Sequence, residues 1–392
     1  MSSSTKTNKT NIKYPVVKDQ NEMNDELTFT LHNTNVSVAN ALRRTMLSDI
    51  ETVVCNPYEK NSIVIFTNTT KLNNEIIKQR IGCIPVHIVD LTINVEDLLC
   101  EINKTNDTDA LDYITTKDIK IKLKSTGKYI SEKEVNKIFP ANKLTGDYIL
   151  INRLKPKISK DLPGESLHME FKLSKGKSSM NGMFNVVSTC GYGNTGDKVR
   201  QQEEWDKVEQ QIKNKYKTLD DETAISNKDI KAEIAYEKEN WFNHHAKRIY
   251  LKDSFDFKLE SVGVFTNTNI VMKACDAVML RLDLLIKNIN NSNIFKLEYN
   301  ATTIPNSVDI LLFGEDYTAS KLIEYVMYEE YFKKKMLKYV GCYKKHPHDN
   351  NMVLRLGFPT PDDNNEENIK NIFKTSCTVG HQLFKKIKSY FD

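Results

Sequence analysis

The sequence predicts an α+β fold in which two copies of one strand–turn–helix unit lie at opposite ends of the chain. In the first copy Leu27, Phe29 and Leu31 alternate with Thr28, Thr30 and His32, the pattern of a half-buried strand. A polar turn then leads through Ser37, as cap, into a helix over Val38–Ile50. In the second copy Val308, Ile310 and Leu312 supply the strand, Thr318 the cap and Ala319–Met327 the helix. The offset is constant: 308 − 27, 318 − 37 and 323 − 42 are all 281. Such a unit leaves one face uncovered until a partner packs on it, so two copies on one chain predict an internal pseudo-dimer.

The remaining elements follow in order. Residues 1–23 read as a disordered N-terminus, because Met1 to about Lys13 is rich in Ser, Thr, Lys and Asn. The first unit takes residues 24–55 and returns at 250–289. Between them, 56–249 reads as an inserted, mainly β domain, with strands over Ile63–Phe66, Ile119–Leu123, Leu167–Leu173 and Asn185–Thr189. Within it, 197–238 is polar and charged, with apolar residues too sparse for a core face, and reads as a solvent-exposed helical excursion or a mobile insertion. Phe255, Phe257 and Leu259 alternate as a returning strand. Val271, Ala274, Val278, Leu282, Leu285 and Ile289 then fall at spacings of three and four, one broad apolar stripe along a helix over Ile270–Ile289. After a polar linker at Asn290–Asn293, the second unit occupies 294–392. It has strands near Phe295–Tyr299 and Met352–Leu356, and a last helix whose face carries Ile369, Ile372, Phe373, Leu383, Phe384, Ile387 and Phe391. The two units are expected to bury these helices against each other as a four-helix layer flanked by sheets.

Composition narrows the function. A formal charge of +4 from 56 basic and 52 acidic residues is too small an excess to mark a nucleic-acid binder. The longest apolar runs fall far short of a membrane span and no hydrophobic leader precedes them. Seven scattered cysteines without a C-x-x-C pair argue for reduced thiols in an intracellular protein, and against a zinc ribbon. The abundance of Asn, Lys and Ile reflects an AT-rich coding bias.

Local motifs offer little chemistry. Cys190–Gly196 contains a literal G-x-G-x-x-G at Gly191, Gly193 and Gly196, which would make a dinucleotide-dependent oxidoreductase one alternative. The segment after it is charged on nearly every face, and no strand ending in an acid follows, so the glycines read better as turn residues. Cys342, His346 and His348 supply only three possible metal ligands, with Pro347 marking a turn. The adjacent His244 and His245 point different ways on any regular element, favouring surface or packing roles. These motifs single out no catalytic residue, cofactor or metal, and catalytic groups that meet in space rather than in sequence would leave no such motif. Arg43 and Arg44 have two readings: solvated side chains, or guanidinium forks serving a protein contact.

These residues carry a resemblance. Asn40-Ala41-Leu42-Arg43-Arg44 with Leu47-Ser48-Asp49-Ile50 resembles the signature of the larger alpha-like subunit of cellular RNA polymerases. Asn68-Thr69-Thr70 through Glu75, then Gln79 to Val86, is similar to that family's asparagine-to-"HRLGLIPL" block, with Gln79 for His and Cys83 for Leu. Phe257–Gly263 is similar to its return strand. The C-terminal half resembles the small alpha-like subunit: Gly314–Thr318 stands for its "EDHT" turn and Gly341–Pro347 for "GYKxPHP", with a departure at Ala319-Ser320-Lys321. The resemblance covers about 24–390 apart from the charged insertion. A fused pair resembles the polymerases of large nucleocytoplasmic DNA viruses, which implies host cytoplasm and virion as locations.

The resemblance implies a non-catalytic assembly platform of a DNA-directed RNA polymerase. Its partners would be the two largest subunits and a small assembly subunit, with DNA reached only through the complex and no homo-oligomer. It implies that Arg43, Arg44, Arg80, Ile84 and Pro85 serve the large-subunit interface. The paired helices would meet through Val38, Leu42 and Met46; Val278, Leu282 and Leu285; Leu322, Ile323 and Val326; and Phe373, Phe384 and Ile387. A free-standing interaction scaffold outside transcription is the other alternative.

Overall fold

The computed structural model describes residues 12–159, 163–217, 227–299 and 304–392, and every strand pairing among them is antiparallel. The chain opens with β1 (Val16–Met23) and β2 (Glu26–His32), then turns into α1 (Val36–Ser48) and β3 (Glu51–Val54). A second body follows: β4 (Ile63–Asn68), α2 (Asn74–Gly82), β5 (Leu98–Thr105), β6 (Asp112–Thr115), β7 (Lys120–Leu123), α3 (Glu132–Ile138), β8 (Leu150–Leu154), β9 (Ser166–Lys172) and β10 (Ser174–Lys177). Next come β11 (Val187–Gly196), α4 (Lys198–Lys217), α5 (Asn227–His244), β12 (Tyr250–Ser261) and α6 (Asn267–Lys287). The last stretch holds β13 (Phe295–Glu298), β14 (Ser307–Phe313), α7 (Tyr317–Met327), β15 (Tyr339–Tyr343), β16 (Asn351–Gly357) and α8 (Glu366–Lys388).

The internal repeat extends to backbone detail. β2 and β14 have the same length at the same offset, since 307 − 26 and 313 − 32 are both 281. Asp25 and Asn306 before the strands are left-handed (φ 61° and 53°), as are Asn33 and Gly314 after them (φ 55° and 74°). Asn, Asp and Gly are the residues that accept this conformation at least cost. The helix caps are Asn35 and Asp316 rather than Ser37 and Thr318. Ser37 and Thr318 sit two residues inside and donate their backbone N–H to those caps, at 2.9 and 3.0 Å. Asn35→Ala should cost about 1 kcal/mol, the usual value of a cap alone. Urea unfolding followed by circular dichroism would measure it.

Two cores result. In the first, one sheet in the order β1-β2-β12-β11 and another in the order β13-β14-β16-β15 belong to the same continuous apolar cluster. α1 and α6 pack on the first sheet and α7 on the second, while α6 lies along α8, α1 meets both α6 and α7, and α7 meets α8. Leu27 and Val308 thus share a core despite their separation in sequence. The second core runs from Val53 to Leu173 around the sheet β4-β9-β5-β7.

Two boundaries differ from the sequence reading, and the charged excursion, helical as one of its two readings had it, carries a packed face that was not expected. β1 lies inside the segment expected to be disordered. Six of its eight residues are exposed, so its order comes from its ladder to β2, and no apolar alternation announces it. Residues 1–11 lie outside the described residues. β11 belongs to the first sheet, through β12, although it falls within 56–249; the separate core ends near Leu173. The charged excursion is a pair of helices, α4 and α5, packed on each other. Trp205 is fully buried there, with ring centroids 6.0 Å from Trp241 and 6.2 Å from Phe242. Gln201 Nε2 donates to the carbonyls of Ala246 and Ile249, both at 2.9 Å, fastening the base of the pair. Residues 218–226 lie outside the described residues. Among the described residues no helix is long and apolar enough to cross a membrane.

Candidate subunit-docking surface

The α1 helix sorts its residues by face. Val38, Ala41, Leu42, Thr45 and Met46 are buried, so Arg43 and Arg44 fall on the flank between the core and solvent. The two arginines do different things. Arg43 folds back on its own helix, its Nε and Nη2 donating to Asn40 Oδ1 at 3.1 and 3.0 Å. That spends two donors on one acceptor and leaves the rest of the fork open. Arg44 reaches across the chain: Nε donates to Thr318 Oγ1 at 2.7 Å and Nη2 to Asp316 Oδ2 at 3.1 Å. Its assignment to an outside partner is therefore corrected in part. Arg44 binds the cap of α7, and its side chain, 44% exposed, offers a partner only its remaining surface.

A second arginine joins the same cap. Arg281 on α6 donates from Nε to Glu315 Oε2 at 2.8 Å and from Nη2 to Asp316 Oδ1 at 2.9 Å, with Asp49 Oδ2 3.8 Å from Nη1. Two arginines of the first half thus hold one carboxylate pair of the second. Burial pushes the Glu315 carboxyl above its usual range, more than Arg281 recovers. Burial also acts to raise Asp316, but Arg281, the Thr318 hydrogen bonds and Arg44 outweigh it and hold this carboxyl below its usual range. Sequence reasoning missed Arg281 and gave no role to Glu315 and Asp49, which it met only as parts of motifs. The available signal was a single cation between Val278 and Leu282 on an apolar stripe, where a buried charge needs a partner.

The twelve residues named for the helix faces all fall in the first core: Val38, Leu42, Met46, Val278, Leu282, Leu285, Leu322, Ile323, Val326, Phe373, Phe384 and Ile387. Gly380 on α8 was also missed. A Cβ there would stand 3.1 Å from Leu282 Cδ1 and 3.7 Å from Leu322 Cδ2, so α8 packs closely on α6 and α7 at this residue.

Arg80, Ile84 and Pro85 sit on the other core. Arg80 Nη2 donates to the Leu150 carbonyl at 2.8 Å, tying α2 to β8 at the surface. Ile84 is 4% exposed and belongs to the second core, so it shapes this surface from beneath and does not present a contact; Pro85 is half-buried. An open hollow of about 380 Å³ between Ile76, Arg80, Cys83 and Ile149 adjoins them. Among the described residues no hydrogen bond joins Arg80 to Arg43 or Arg44.

The remaining motifs are placed by the backbone. Gly191 and Gly193 lie within β11, opposite Lys258 and Asp256, and not in a turn as expected. A strand aims its N–H groups sideways into the ladder, which rules out a helix-capped phosphate loop at this spot. Cys342 Sγ donates to Glu324 Oε2 at 2.9 Å, and burial pushes its thiol up to about 12. The His346 and His348 rings stack on each other at 5.2 Å.

Residues 28–282 match the family described as the RNA polymerase Rpb3/Rpb11 dimerisation domain. The match runs from β2 into α6, and the second half lies outside it. The chain is 24% identical over 299 residues to a conjugation stage-specific protein of Tetrahymena thermophila, covering 69% of this chain and 94% of that one. It is 23% identical over 278 residues to DNA-directed RNA polymerase subunit Rpo3 of Methanosphaera stadtmanae, covering 69% and 97%. A shorter stretch of 74 residues is 39% identical to subunit 3 of DNA-directed RNA polymerases II, IV and V of Arabidopsis thaliana, 22% of that protein's length. With about two thirds of its length matched by the family's own pattern, the chain belongs to the RNA polymerase Rpb3/Rpb11 dimerisation domain family.

Proposed function

We propose that this chain is a non-catalytic assembly platform of a DNA-directed RNA polymerase, in which two alpha-like units pair within one polypeptide and together dock the two largest subunits and a small assembly subunit. The observation that carries the reading is the clasp at the α7 cap. Arg44 and Arg281 from one half bind Asp316 of the other, over a core to which both halves contribute. Pairing on one chain is intramolecular and so independent of protein concentration. Relatives named as polymerase subunits, one of them aligned over nearly its whole length, point the same way. The fusion of both units, with the AT-biased composition, favours an origin in a large nucleocytoplasmic DNA virus, acting in the host cytoplasm and packaged in the virion.

Arg43 and Arg80 are the cations of this surface least committed to the other half, and they are the proposed contacts to the large subunits. Arg43→Glu with Arg80→Glu should leave the isolated chain folded, its melting temperature lowered by no more than a few degrees through the lost surface hydrogen bonds, and reduce its recovery of the two largest subunits at least tenfold in a tagged pull-down. Full recovery with both charges reversed would remove the docking assignment. Absence of any polymerase subunit from the wild-type eluate, judged by mass spectrometry, would favour a scaffold outside transcription.

A further inference from the structure

The glycine-rich stretch of β11 has no part in the reading above. β11 is an outer strand of the sheet β1-β2-β12-β11, so one of its sides has no neighbouring strand. Between Thr189 and Asn194 it runs in unbroken register with β12. In an antiparallel pair every second residue turns its N–H and C=O away from the partner strand. Among the described residues, no backbone group outside β12 pairs with Thr189–Asn194.

The other outer strands of the four-stranded sheets are blunted against such pairing. β1 carries Lys18, Asp19 and Glu22, and its register breaks between Lys18 and Asn21. β4 shifts register between Ile65 and Thr67. β7 is met by the chain that follows it, at Tyr129 and Ile130. β13 and β15 have only four and five residues. β11 has ten, with neither a charge nor a proline.

Gly191 and Gly193 are two residues apart and share one face of this strand. Neither has a left-handed backbone, and a Cβ on either would meet no atom of the chain within 4 Å. Conformation and crowding within the chain therefore do not account for them, although glycine weakens a strand interior. What glycine permits there is the close approach of another backbone. The charges around them are already paired. Lys258 is held by Glu26, Glu260 accepts from Ser188 and Thr189, and Asp256 accepts from Thr30 and Thr195. On the opposite face Cys190 and Tyr192 are only half-buried, at the rim of the first core. Cys190 Sγ lies 4.0 Å from the Arg43 carbonyl, so the open edge continues into the flank of α1 that carries Arg43.

We propose that β11 takes up an extended segment of one of the two largest polymerase subunits as a fifth strand, paired along Thr189–Asn194. The segment's backbone completes the open ladder. Its aromatic or β-branched side chains, uncharged, lie over Gly191 and Gly193. Its other face extends the cover over Cys190 and Tyr192, beside Arg43. Strand addition here rests on the polymerase reading and gives the form in which a large subunit reaches the Arg43 side of the surface.

Hydrogen exchange on the full-length chain, free and in the polymerase recovered with it, tests this. The outward amides of Thr189–Asn194 should exchange roughly tenfold more slowly in the complex. Gly191→Glu with Gly193→Lys charges the edge where there is room, each new residue opposite one of the other sign, Lys258 and Asp256. The melting temperature should stay equal or rise, while recovery of the large subunits falls about tenfold, because charge on an edge opposes pairing. The photoreactive residue p-benzoylphenylalanine placed at Thr189 should cross-link to a large subunit, and mass spectrometry would identify the segment. A wild-type chain that recovers both large subunits while these amides still exchange fast, or a double variant that recovers them in full, would overturn strand addition and leave the polymerase reading standing. A wild-type eluate without any polymerase subunit would remove that reading and the proposed occupant together. A cross-link to a small subunit, to a second copy or to the chain's own N-terminal residues would overturn the occupant.

Discussion

Arg281→Met should destabilise the first core by about 3–5 kcal/mol, the range for removing one partner of a largely buried ion pair. Methionine keeps the length of the stem and much of its packing, so the loss measures the charge. What remains is a Glu315 carboxylate whose side chain is 12% exposed, beside Asp316, which keeps its ion pair with Arg44. Two carboxylates without the guanidinium between them also repel each other. The deficit should depend on pH, and its sign follows from the two shifts. Asp316 has a depressed folded value, so it contributes stability above its unfolded value, and this is lost as pH falls through the folded one. Glu315 has a raised folded value, so its charged form weakens the fold at neutral pH, and that penalty fades as pH falls through the folded value. Without Arg281 both carboxyls shift upward and protonate more readily, so the mutant should recover part of its deficit on going from neutral pH toward about 5. Urea melts across that range would show it. A deficit that stays flat would mean the loss is packing alone.

The same cluster marks how far the sequence was legible. β2 announces itself because its apolar residues lie on one face, and a period of two in Leu27, Phe29 and Leu31 has no other cheap explanation; β14, buried on both faces from Ser307 to Leu312, is legible through the same period in Val308, Ile310 and Leu312. α6 and α8 are legible for the corresponding reason at helical spacing. β1 is not, because a strand held by its ladder alone, with its side chains in water, leaves no apolar period. The glycines of β11 mislead in the opposite sense, since turn composition was used within a strand. Both caps were placed two residues late because Ser37 and Thr318 are good cap residues in their own right. For the site, the helix face was readable and the direction of a guanidinium was not. Arg43 and Arg44 are neighbours of identical chemistry. One folds onto its own helix, while the other binds a residue 274 positions away. Only the placement of α7 decides between them, and local sequence does not contain it.

Gly380→Leu should cost about 3 kcal/mol, at the upper end of what overpacking a close contact usually does. Gly380→Ala should be nearly neutral. A helix gains about 1 kcal/mol when alanine replaces glycine, and the new Cβ asks Leu282 to give way by a few tenths of an ångström. Leucine adds three further carbons where α6 and α7 already stand, and Leu282, Leu322 and the glycine are all buried. The informative experiment is a double-mutant cycle. Leu282→Ala alone opens a cavity and should cost about 2–5 kcal/mol. With Gly380→Leu present, that cavity receives the new side chain, so the pair should be more stable than the sum of the singles by at least about 1 kcal/mol. Leu282 belongs to the half matched by the family and Gly380 to the half outside it. Their coupling therefore measures whether the two halves pack as one body in solution. Hydrogen exchange adds the location: in Gly380→Leu the amides of α6 and α8 should exchange faster, while those of β5 and β9 in the other core keep their protection. A coupling indistinguishable from zero would mean that α6 and α8 do not touch, and the clasp at Asp316 would lose the core on which it rests.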